Sequence, residues 1–485
     1  MTRRTTQTTT TRRTTSSVFT RAYAQGVTEQ LAPDYGPGTR PAFAATAMVD
    51  RAAPAEPIAL HGAVITPTGA LKSGYVVVES GVISEISRTK PSGARVHRTD
   101  GVIVPGLIDL HSHPEFNVFA AWEPPHQFPN RYSWRASDVY HQLVRDPQNR
   151  LLTELQPQTQ LRYAEIRALI GGVTAIQGAS GKTSRATSEP LVRNVDLWIF
   201  GQHRARAMID LPSSPHQRDY PRLQKIIGEI AAGEVDAFYL HLAEGARGDR
   251  RSLTEFQRFL DFGAATPATV VIHGSALEAP QIHQLADAGC KLVWSPQSNL
   301  RLYAQTTLAA EALRAGIPVA LGADWLPSGS MSLLAEMKVA RAELSRQGHE
   351  IAAADLVTMV TSGAAEIAGL GHQLGSLAPG RPADLVVLER HHDDPYENVC
   401  LAEPNWVELV MIGGDLAYGR QAWYADLTAD STGPTIENLT AWGKPMTLDT
   451  GFDLTSTPQT SAAPSLSELR QQLVQAYPPV GPVFA

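Results

Sequence analysis

The central part of the chain alternates two patterns of apolar and polar positions. Between about residues 104 and 371, short β-branched apolar runs are followed by longer segments of helical periodicity. The apolar runs, in chain order, are VIVPGLIDLH, VTAIQGA, LWIFGQ, AFYLHLAE, TVVIHG, KLVWSP and PVALGAD. Strand and helix in repetition indicate parallel strands joined by crossover helices. The block has roughly 265 residues, close to the ~250 of a typical (β/α)8 barrel. We therefore predict an α/β fold with a TIM barrel.

Both flanks of this block show a different pattern. Residues 58–86 and 375–418 contain short β-rich runs separated by Gly, Pro and Ser turns, the pattern of antiparallel strands. We predict one small β-sandwich domain built from both flanks, residues 57–104 plus 372–425. The barrel then occupies residues 105–371.

The two ends of the chain carry weaker patterns. Residues 1–56 begin with a Thr/Arg tract that lacks the apolar core of a secretory signal, and we expect a disordered leader. Residues 426–485 are predicted to form a C-terminal extension. It ends in an amphipathic helix pattern, SLSELRQQLVQAY, which fits either a surface wrap or an oligomer contact such as a homodimer interface.

Composition narrows the classes of partner. The formal net charge is −7 and charged residues make up 18%, so there is no basic footprint for a nucleic acid. No run of 18 apolar residues occurs, so we expect no membrane span, and a small-molecule substrate is the default. The two cysteines, Cys290 and Cys400, lie in apolar stretches without CxxC spacing, which favours a reducing compartment and a cytoplasmic location.

Candidate chemistry lies at the ends of the apolar runs. His111 and His113 follow the first run, and alternate residues of a strand point to the same side. An HxH motif alone is also compatible with coincidence. However, His241 ends AFYLH, His273 ends TVVIH and Asp324 ends PVALGAD. Because the carboxyl ends of barrel strands share one face, we expect these five side chains to meet there.

The order GLIDLHSH, HLAE, VIHG, SPQSNLRLY and LGAD resembles the amidohydrolase superfamily. The resemblance covers about residues 58–420 and is greatest to the mononuclear branch of cytosine, guanine and triazine aminohydrolases. The motif DLHSHP is closer to the imidazolonepropionase type. The resemblance implies that His111, His113, His241 and Asp324 bind a divalent metal ion. It also implies that His273 contacts the metal or the attacked group.

Elementary chemistry supports the same roles. Three imidazoles and one carboxylate suit Zn²⁺, with Fe²⁺ as the alternative, and leave a position for a water molecule that the metal acidifies. Asp324 can accept the proton of that water. Glu244, three residues after His241, can protonate the leaving nitrogen, although a solvated loop carboxylate would look the same in sequence. We predict Glu244, His273 and Asp324 as catalytic residues.

Substrate contacts are harder to assign. Asn299, in SPQSNLRLY, is implied by the resemblance to hold the site or the substrate, and a turn-forming Asn is the alternative. Glu115, Phe116 and Trp325 are predicted to bind substrate because each lies near a predicted metal ligand in sequence. The aromatic and Arg-containing loop of residues 123–140 fits either a lid over a flat or anionic molecule or ordinary packing.

The number of metal ions also follows from the resemblance. Binuclear members use a carboxylated lysine at the end of the fourth strand, but the fourth-strand candidate DLWIFGQHRARAMIDL contains no Lys, which implies one ion. We predict a metal-dependent hydrolase of non-peptide C–N bonds in small cyclic substrates, most specifically a deaminase of an aminated heterocycle. The alternatives are ring opening of a cyclic amide, as in the imidazolonepropionase type, and a catalytically silent barrel used for binding.

Overall fold

The computed structural model describes residues 56–178, 190–428, 432–451 and 464–481, together with Val49, Arg51, Pro54 and Val483. Within the predicted leader, Arg51 is buried, and its guanidinium donates to the carbonyl oxygens of Leu191 (2.6 Å) and Asp449 (2.9 Å). The rest of that leader, apart from the four residues described, lies outside the described residues.

The described part of the chain contains seventeen β-strands. They are β1 (Ile58–Thr66), β2 (Gly69–Glu79), β3 (Val82–Ser87), β4 (Arg95–Pro105), β5 (Leu107–Asp109), β6 (Val173–Ile176), β7 (Arg193–Asn194), β8 (Ala205–Met208), β9 (Ala237–Leu242), β10 (Thr269–His273), β11 (Lys291–Trp294), β12 (Val319–Leu321), β13 (Leu385–Leu388), β14 (Val407–Ile412), β15 (Asp415–Arg420), β16 (Ile436–Ala441) and β17 (Lys444–Asp449).

Helices connect most of the strands. They are α1 (Arg131–Trp134), α2 (Asp138–Tyr140), α3 (Asp146–Glu154), α4 (Pro157–Ile170), α5 (Tyr220–Ala231), α6 (Arg250–Asp261), α7 (Ala279–Asp287), α8 (Pro296–Tyr303), α9 (Ala309–Arg314), α10 (Leu333–Arg346), α11 (Ala353–Thr358), α12 (Ser362–Ile367), α13 (Pro395–Leu401), α14 (Gln421–Leu427) and α15 (Leu466–Ala476). Short 3-10 turns cover Pro114–Phe116 and Pro404–Trp406, and a π-helical turn covers His141–Arg145. In the part of the chain that the structure describes, no helix is long and apolar enough to cross a membrane.

Strands β5 to β12 form the TIM barrel. Strands β8 to β12 pair in parallel in sequence order, and β5, β6 and β7 form a second parallel group. The first and last barrel strands meet through a parallel bridge between Ser112 and Asp324, where the amide of Asp324 donates to the carbonyl of His111 (2.7 Å). The α/β barrel predicted from the sequence is confirmed.

One predicted barrel strand is wrong. The run LWIFGQ is not a strand, and the third and fourth barrel strands, β7 and β8, lie on either side of it. Ile199 and Gln202 pair with each other across a tight turn. The turn residues Phe200 (φ 52°) and Gly201 (φ 74°) are both left-handed, as a two-residue hairpin turn requires. An apolar run that turns back on itself cannot continue as a strand.

The flanking strands form one mixed sheet of nine strands, in the order β16-β17-β15-β14-β13-β4-β1-β2-β3. The upstream and downstream parts join where β4 pairs antiparallel with β13. Alternate residues of the sheet fall in two different buried clusters: Ile103 and Val387 pack in one, and Val102 and Val386 in the other. Strands β16 and β17 belong to the predicted C-terminal extension, residues 426–485, and they add to one edge of this sheet. The predicted domain limits stay predictions.

The last described segment packs against the barrel. Helix α15 begins with a capping box between Ser465 and Glu468 and lies against α4. Beyond it, the ring of Tyr477 contacts Phe119 at 5.0 Å between centroids, and the amide of Gly481 donates to the carbonyl of Val118 (2.8 Å). The C-terminal segment therefore contacts the loop that follows the HxH motif.

Candidate metal centre and active site

The barrel strands bring the predicted metal ligands to one face. His111 and His113 follow β5, His241 lies at the penultimate position of β9, and His273 is the last residue of β10. Asp324 comes three residues after β12. Each side chain therefore lies at or just beyond the carboxyl end of a parallel strand, the face on which TIM barrels carry their catalytic groups.

The donor atoms converge on a small volume. Ring nitrogens of His111, His113 and His241 lie within 4.8 Å of one another, as do donor atoms of His111, His273 and Asp324. Oδ1 of Asp324 is 3.0 Å from Nε2 of His111 and 3.5 Å from Nε2 of His113. Oδ2 of Asp324 is 4.0 Å from Nε2 of His273. This is the arrangement of nitrogen and oxygen donors that a divalent transition metal accepts.

The buried ring of His111 tests whether the residues fit a metal. Neither ring nitrogen of His111 makes a hydrogen bond of good geometry among the described residues, and Nε2 is the one that faces Asp324, at 3.0 Å from Oδ1. Burying an imidazole nitrogen without a partner is costly. A divalent cation would give this ring a partner, and the neighbouring imidazoles and carboxylate are further ligands for it.

The protonation states also suit metal binding. Burial lowers the pKa of His113 and of His273 to about 3, and burial with neighbouring imidazoles holds the pKa of His241 well below its usual value. Burial opposes ionisation of Asp324, but the adjacent His111 outweighs it and holds the pKa of Asp324 below its usual value. His111 differs, because the adjacent Asp324 outweighs burial and raises its pKa, so a metal ion would displace a proton from this ring. Neutral imidazoles and an ionised carboxylate are the forms that bind metals.

The backbone at the site is strained. Ala243 (φ 48°), His273 (φ 69°) and Asp324 (φ 62°) are non-glycine residues in the left-handed region. Such residues cost on the order of 1–3 kcal/mol each and persist where the surrounding structure holds them. Gly322 shows how tight the packing is, because a Cβ at this position would lie 2.4 Å from Cβ of His111. The last barrel strand thus passes directly against the HxH motif.

Glu244 is a buried carboxylate held by a hydrogen bond. Its Oε1 accepts from the hydroxyl of Tyr303 (2.6 Å), and that hydroxyl accepts from the indole Nε1 of Trp134 (2.8 Å). Oε2 is 3.8 Å from Nε2 of His273. Burial raises the pKa of Glu244, and nearby Arg131 opposes the rise only in part. The carboxyl can therefore retain a proton more readily than an exposed glutamate.

A second chain of hydrogen bonds orients His273. The indole of Trp294 donates to Thr306 Oγ1 (2.7 Å), the hydroxyl of Thr306 donates to Asn299 Oδ1 (3.2 Å), and Nδ2 of Asn299 donates to Nδ1 of His273 (3.0 Å). Because an indole N–H can only donate, the direction of the chain is fixed. A neutral His273 then carries its proton on Nε2, which faces Glu244 and Asp324.

A cleft of about 410 Å³ opens over these groups. It is lined by His113, Arg131, Trp134, Arg135, Ile209, His241, Glu244, His273, Asp324 and Trp325. Two rings, Trp134 and Trp325, lie 5.3 Å apart at 34° and form an aromatic wall. The aromatic loop of residues 123–140 therefore contributes directly to the cleft.

Of the four residues predicted to contact the substrate, Trp325 is the one that lines the cleft. Phe116 packs behind it, with its ring 5.7 Å from that of Trp325, and Glu115 is buried, with its carbonyl accepting from Gln160. Asn299 has no exposed surface and lies behind His273. The contact of Asn299 with His273 fits the predicted role of holding the site, and a contact with substrate stays a prediction.

Sequence reasoning missed Tyr303, Arg135 and Ile209. Tyr303 lies one turn after Asn299 on α8, so its place in SPQSNLRLY was the available signal. Arg135 lies in the Arg-containing loop of residues 123–140, whose composition was a signal, whereas Ile209 lies in an irregular segment that carries none. Arg135 donates to Asp210 (3.0 Å), and so brings a partly balanced cation to the cleft.

Arg131 holds the loop that carries Trp134 against neighbouring segments of the cleft. It is fully buried and donates to Glu255 Oε1 (2.5 Å) and to the carbonyl of Ile209 (3.1 Å). The other oxygen of Glu255 accepts from the amide of Ala243 (3.0 Å), one residue before Glu244. The loop of residues 123–140 and the segment carrying the predicted proton donor are therefore held together by one buried ion pair.

Comparison with known proteins gives a consistent family. Residues 222–417 match the model of the Amidohydrolase family. The chain is 25% identical over 336 residues to a 5-methylthioadenosine/S-adenosylhomocysteine deaminase of Teredinibacter turnerae, covering 62% of this chain and 74% of that protein. It is 25% identical over 418 residues to an 8-oxoguanine deaminase of Pseudomonas aeruginosa, covering 73% and 91%.

A solved structure shares the fold. An adenosine deaminase from Xanthomonas campestris with bound zinc superposes with a TM-score of 0.58 at 18% identity, covering 74% of this chain and 92% of that one. The fold and the donor set define a metal-dependent hydrolase built on a TIM barrel. The chain is similar to the amidohydrolase superfamily, through the family model over residues 222–417 and through these 25% identical deaminases.

Proposed function

We propose that this chain is a zinc-dependent deaminase that hydrolyses the exocyclic C–N bond of an aminated heterocycle. The observation that carries the proposal is the position of Glu244, a buried carboxyl at the cleft whose Oε2 is 3.8 Å from His273. Ammonia is a poor leaving group unless it is protonated, and Glu244 is placed to supply the proton. Two relatives named as purine-derivative deaminases support the same reaction.

The metal would be held by His111, His113, His241 and Asp324. A bound zinc ion supplies Lewis acidity and lowers the pKa of water toward ~7. One ion per chain is proposed because β8, at the fourth barrel position, contains no lysine. Zinc in the neighbouring deaminase structure supports this metal over iron.

The residues of the chain move the protons. Asp324 accepts a proton from the attacking water as its oxygen adds to the amino-bearing ring carbon. Glu244 protonates the ring nitrogen as the ring C=N bond becomes a single bond, then takes the remaining proton of the added hydroxyl and delivers it to the amino nitrogen. The exocyclic C–N bond breaks, ammonia leaves, and the ring carbon becomes a carbonyl. The proton held by Asp324 returns to Glu244 for the next turnover. His273, with its proton on Nε2, donates a hydrogen bond to the reacting group and stabilises the charge that develops there.

The cleft suits a flat ring. Trp134 and Trp325 provide an aromatic wall, and Ile209 adds an apolar contact. Arg135 offers only hydrogen-bond donors. A ring with carbonyl or ring-nitrogen acceptors on the edge away from the amino group would complement this lining.

Ammonia release tests the proposal. The zinc-loaded protein would be assayed with aminated purines, pyrimidines, pterins and triazines, with Asp324→Asn as the blank. We expect release above the blank with at least one ring class. Release from no compound, while cyclic amides are opened, would contradict deamination and support the imidazolonepropionase-like alternative.

Metal analysis and mass measurement test the remaining parts of the proposal. Protein purified without chelator should contain close to one zinc per chain, and much less would count against the site. Light scattering distinguishes the two roles predicted for the C-terminal helix, because only an oligomer contact gives a dimer mass. We also propose a cytoplasmic location, which fractionation of the cells that produce the protein would test.

A further inference from the structure

A chain of hydrogen bonds links the wall of the cleft to Glu244. The indole of Trp134 donates to the hydroxyl of Tyr303 (2.8 Å), which donates to Oε1 of Glu244 (2.6 Å). The three residues come from α1, α8 and the segment after β9, and all are buried. Residues from three separate elements therefore meet at one carboxylate oxygen.

The donors fix the direction of this chain. An indole N–H can only donate, and a phenol has a single proton. The hydroxyl of Tyr303 must therefore accept from Trp134 and give its own proton to Glu244. Burial and the adjacent Glu244 raise the pKa of Tyr303 well above its usual value, so the hydroxyl keeps that proton.

The consequence concerns the two oxygens of Glu244. Oε1 is occupied as an acceptor, so a proton carried by the carboxyl resides on Oε2. That oxygen faces His273, and both residues line the cleft. A carboxyl free to rotate would present either oxygen to the substrate, whereas this one presents the oxygen that carries the proton.

We propose that Trp134 and Tyr303 are positioning residues that hold Glu244 with Oε2 toward the substrate. The proposal rests on the proposed function, in which Glu244 is the proton donor. Because Trp134 also lines the cleft, the surface that contacts the substrate ring and the group that protonates it are held by the same hydrogen bonds. Displacement of Trp134 would therefore disturb both the surface that contacts the substrate ring and the orientation of Glu244.

Spectroscopy tests the chain without any substrate. The protein has eight tryptophans, so ¹⁵N-indole labelling gives a spectrum that can be assigned, with Trp134→Phe identifying the Trp134 resonance. We expect Tyr303→Phe to move that resonance upfield, as its acceptor is lost, and Glu244→Gln to move it by a smaller amount. Trp122 is the internal control, because its indole nitrogen is buried without a hydrogen-bond partner among the described residues. An unmoved Trp134 resonance in Tyr303→Phe would overturn the proposal.

Kinetics test the role of the chain. On a ring that the wild type deaminates, Tyr303→Phe should lower kcat by about 10- to 100-fold, the effect of losing a hydrogen bond to a charged group, with KM nearly unchanged. Trp134→Phe should lower kcat less. The kcat of the double variant should be no lower than that of Tyr303→Phe, because Trp134 affects proton transfer through Tyr303, whereas its own contact with the substrate ring changes KM.

The controls separate this proposal from the proposed function. Trp122→Phe should retain wild-type kcat, and all variants should keep the zinc content and thermal midpoint of the wild type. Additive losses in the double variant, or a change confined to KM, would refute the positioning role. If the wild type deaminates no ring, the proposed function fails, and with it the role proposed for Glu244, while the indole spectrum still shows whether the hydrogen-bond chain exists.

Discussion

At the scale of single residues, the proton of His273 depends on a neutral amide behind it. Asn299 donates to Nδ1 of His273, and the hydroxyl of Thr306 holds the amide in that orientation. Nε2 of His273 therefore faces the cleft with its proton and can donate a hydrogen bond. An amide outside the lining of the cleft thus sets the tautomer of a histidine that lines it.

Replacement of Asn299 by aspartate reverses this hydrogen bond. In Asn299→Asp, the carboxylate accepts from Nδ1–H, so Nε2 of His273 loses its proton. We expect kcat to fall by about 10-fold or more, the typical effect of losing one hydrogen bond to a charged group. Ring ¹⁵N shifts of His273 report the tautomer directly. Full activity with Nε2 unprotonated would show that His273 does not act as a donor.

Gly322 is the residue where space next to the metal ligands is smallest. In Gly322→Ala the new methyl group would meet Cβ and the backbone of His111, so we expect a loss of about 1–3 kcal/mol in unfolding free energy and a lower zinc content. Urea unfolding and metal analysis measure these effects. Gly228→Ala on α5 is the control, because no described atom lies within 4 Å of its added Cβ. Equal behaviour of the two variants would contradict the packing argument.

At the scale of elements, a buried ion pair joins the barrel to the mixed sheet. Arg193 of β7 donates through Nε (2.6 Å) and Nη2 (2.9 Å) to the two oxygens of Asp384, which precedes β13. The amide of Gly413 donates to the same carboxylate (2.7 Å). The pair therefore holds a two-residue strand in place from outside the barrel.

Loss of this carboxylate should destabilise the protein strongly. Asp384→Ala removes the counter-charge of a fully buried guanidinium, and we expect a loss of about 3–5 kcal/mol in urea unfolding. Glu343→Ala, which breaks the pair with the exposed Arg346, should cost less than about 1 kcal/mol. A similar cost for both variants would show that the buried pair does not stabilise the junction.

The strands that end near a predicted site residue were predicted from the sequence better than the other strands. His241 and His273 end long apolar runs, so the apolar pattern and the histidine both indicated where the strand ends. Strand β7 has two residues, too few for any periodicity, and LWIFGQ has the composition of a strand but turns at Phe200. The contacts of Tyr303 could not be predicted, because its partners are distant in sequence.

At the scale of the whole molecule, stability should depend on pH through a carboxyl far from the metal ligands. Glu165 on α4 is fully buried, and its Oε2 accepts from the amide of Leu191 (3.1 Å). Burial raises the pKa of Glu165 to about 7. Between the unfolded pKa and about 7, the folded state binds more protons than the unfolded state, so stability falls as the pH rises.

Glu165→Gln should remove this dependence. The wild type is expected to lose roughly 3 kcal/mol of unfolding free energy between pH 4.5 and 7 from this group alone, because each unit of pKa corresponds to about 1.4 kcal/mol. The variant should show a flatter profile in urea titrations over that range. Parallel profiles for the two proteins would mean that Glu165 has an ordinary pKa in the folded state.

The aromatic wall of the cleft gives the protein an optical signal of its own. Trp134 and Trp325, two of the eight tryptophans, line the cleft with their rings 5.3 Å apart at 34°. A heterocycle that stacks on this wall should quench their ultraviolet emission in proportion to occupancy. Affinities could then be titrated in the Asp324→Asn variant, which we expect to be inactive, and candidate rings could be ranked before any product is known.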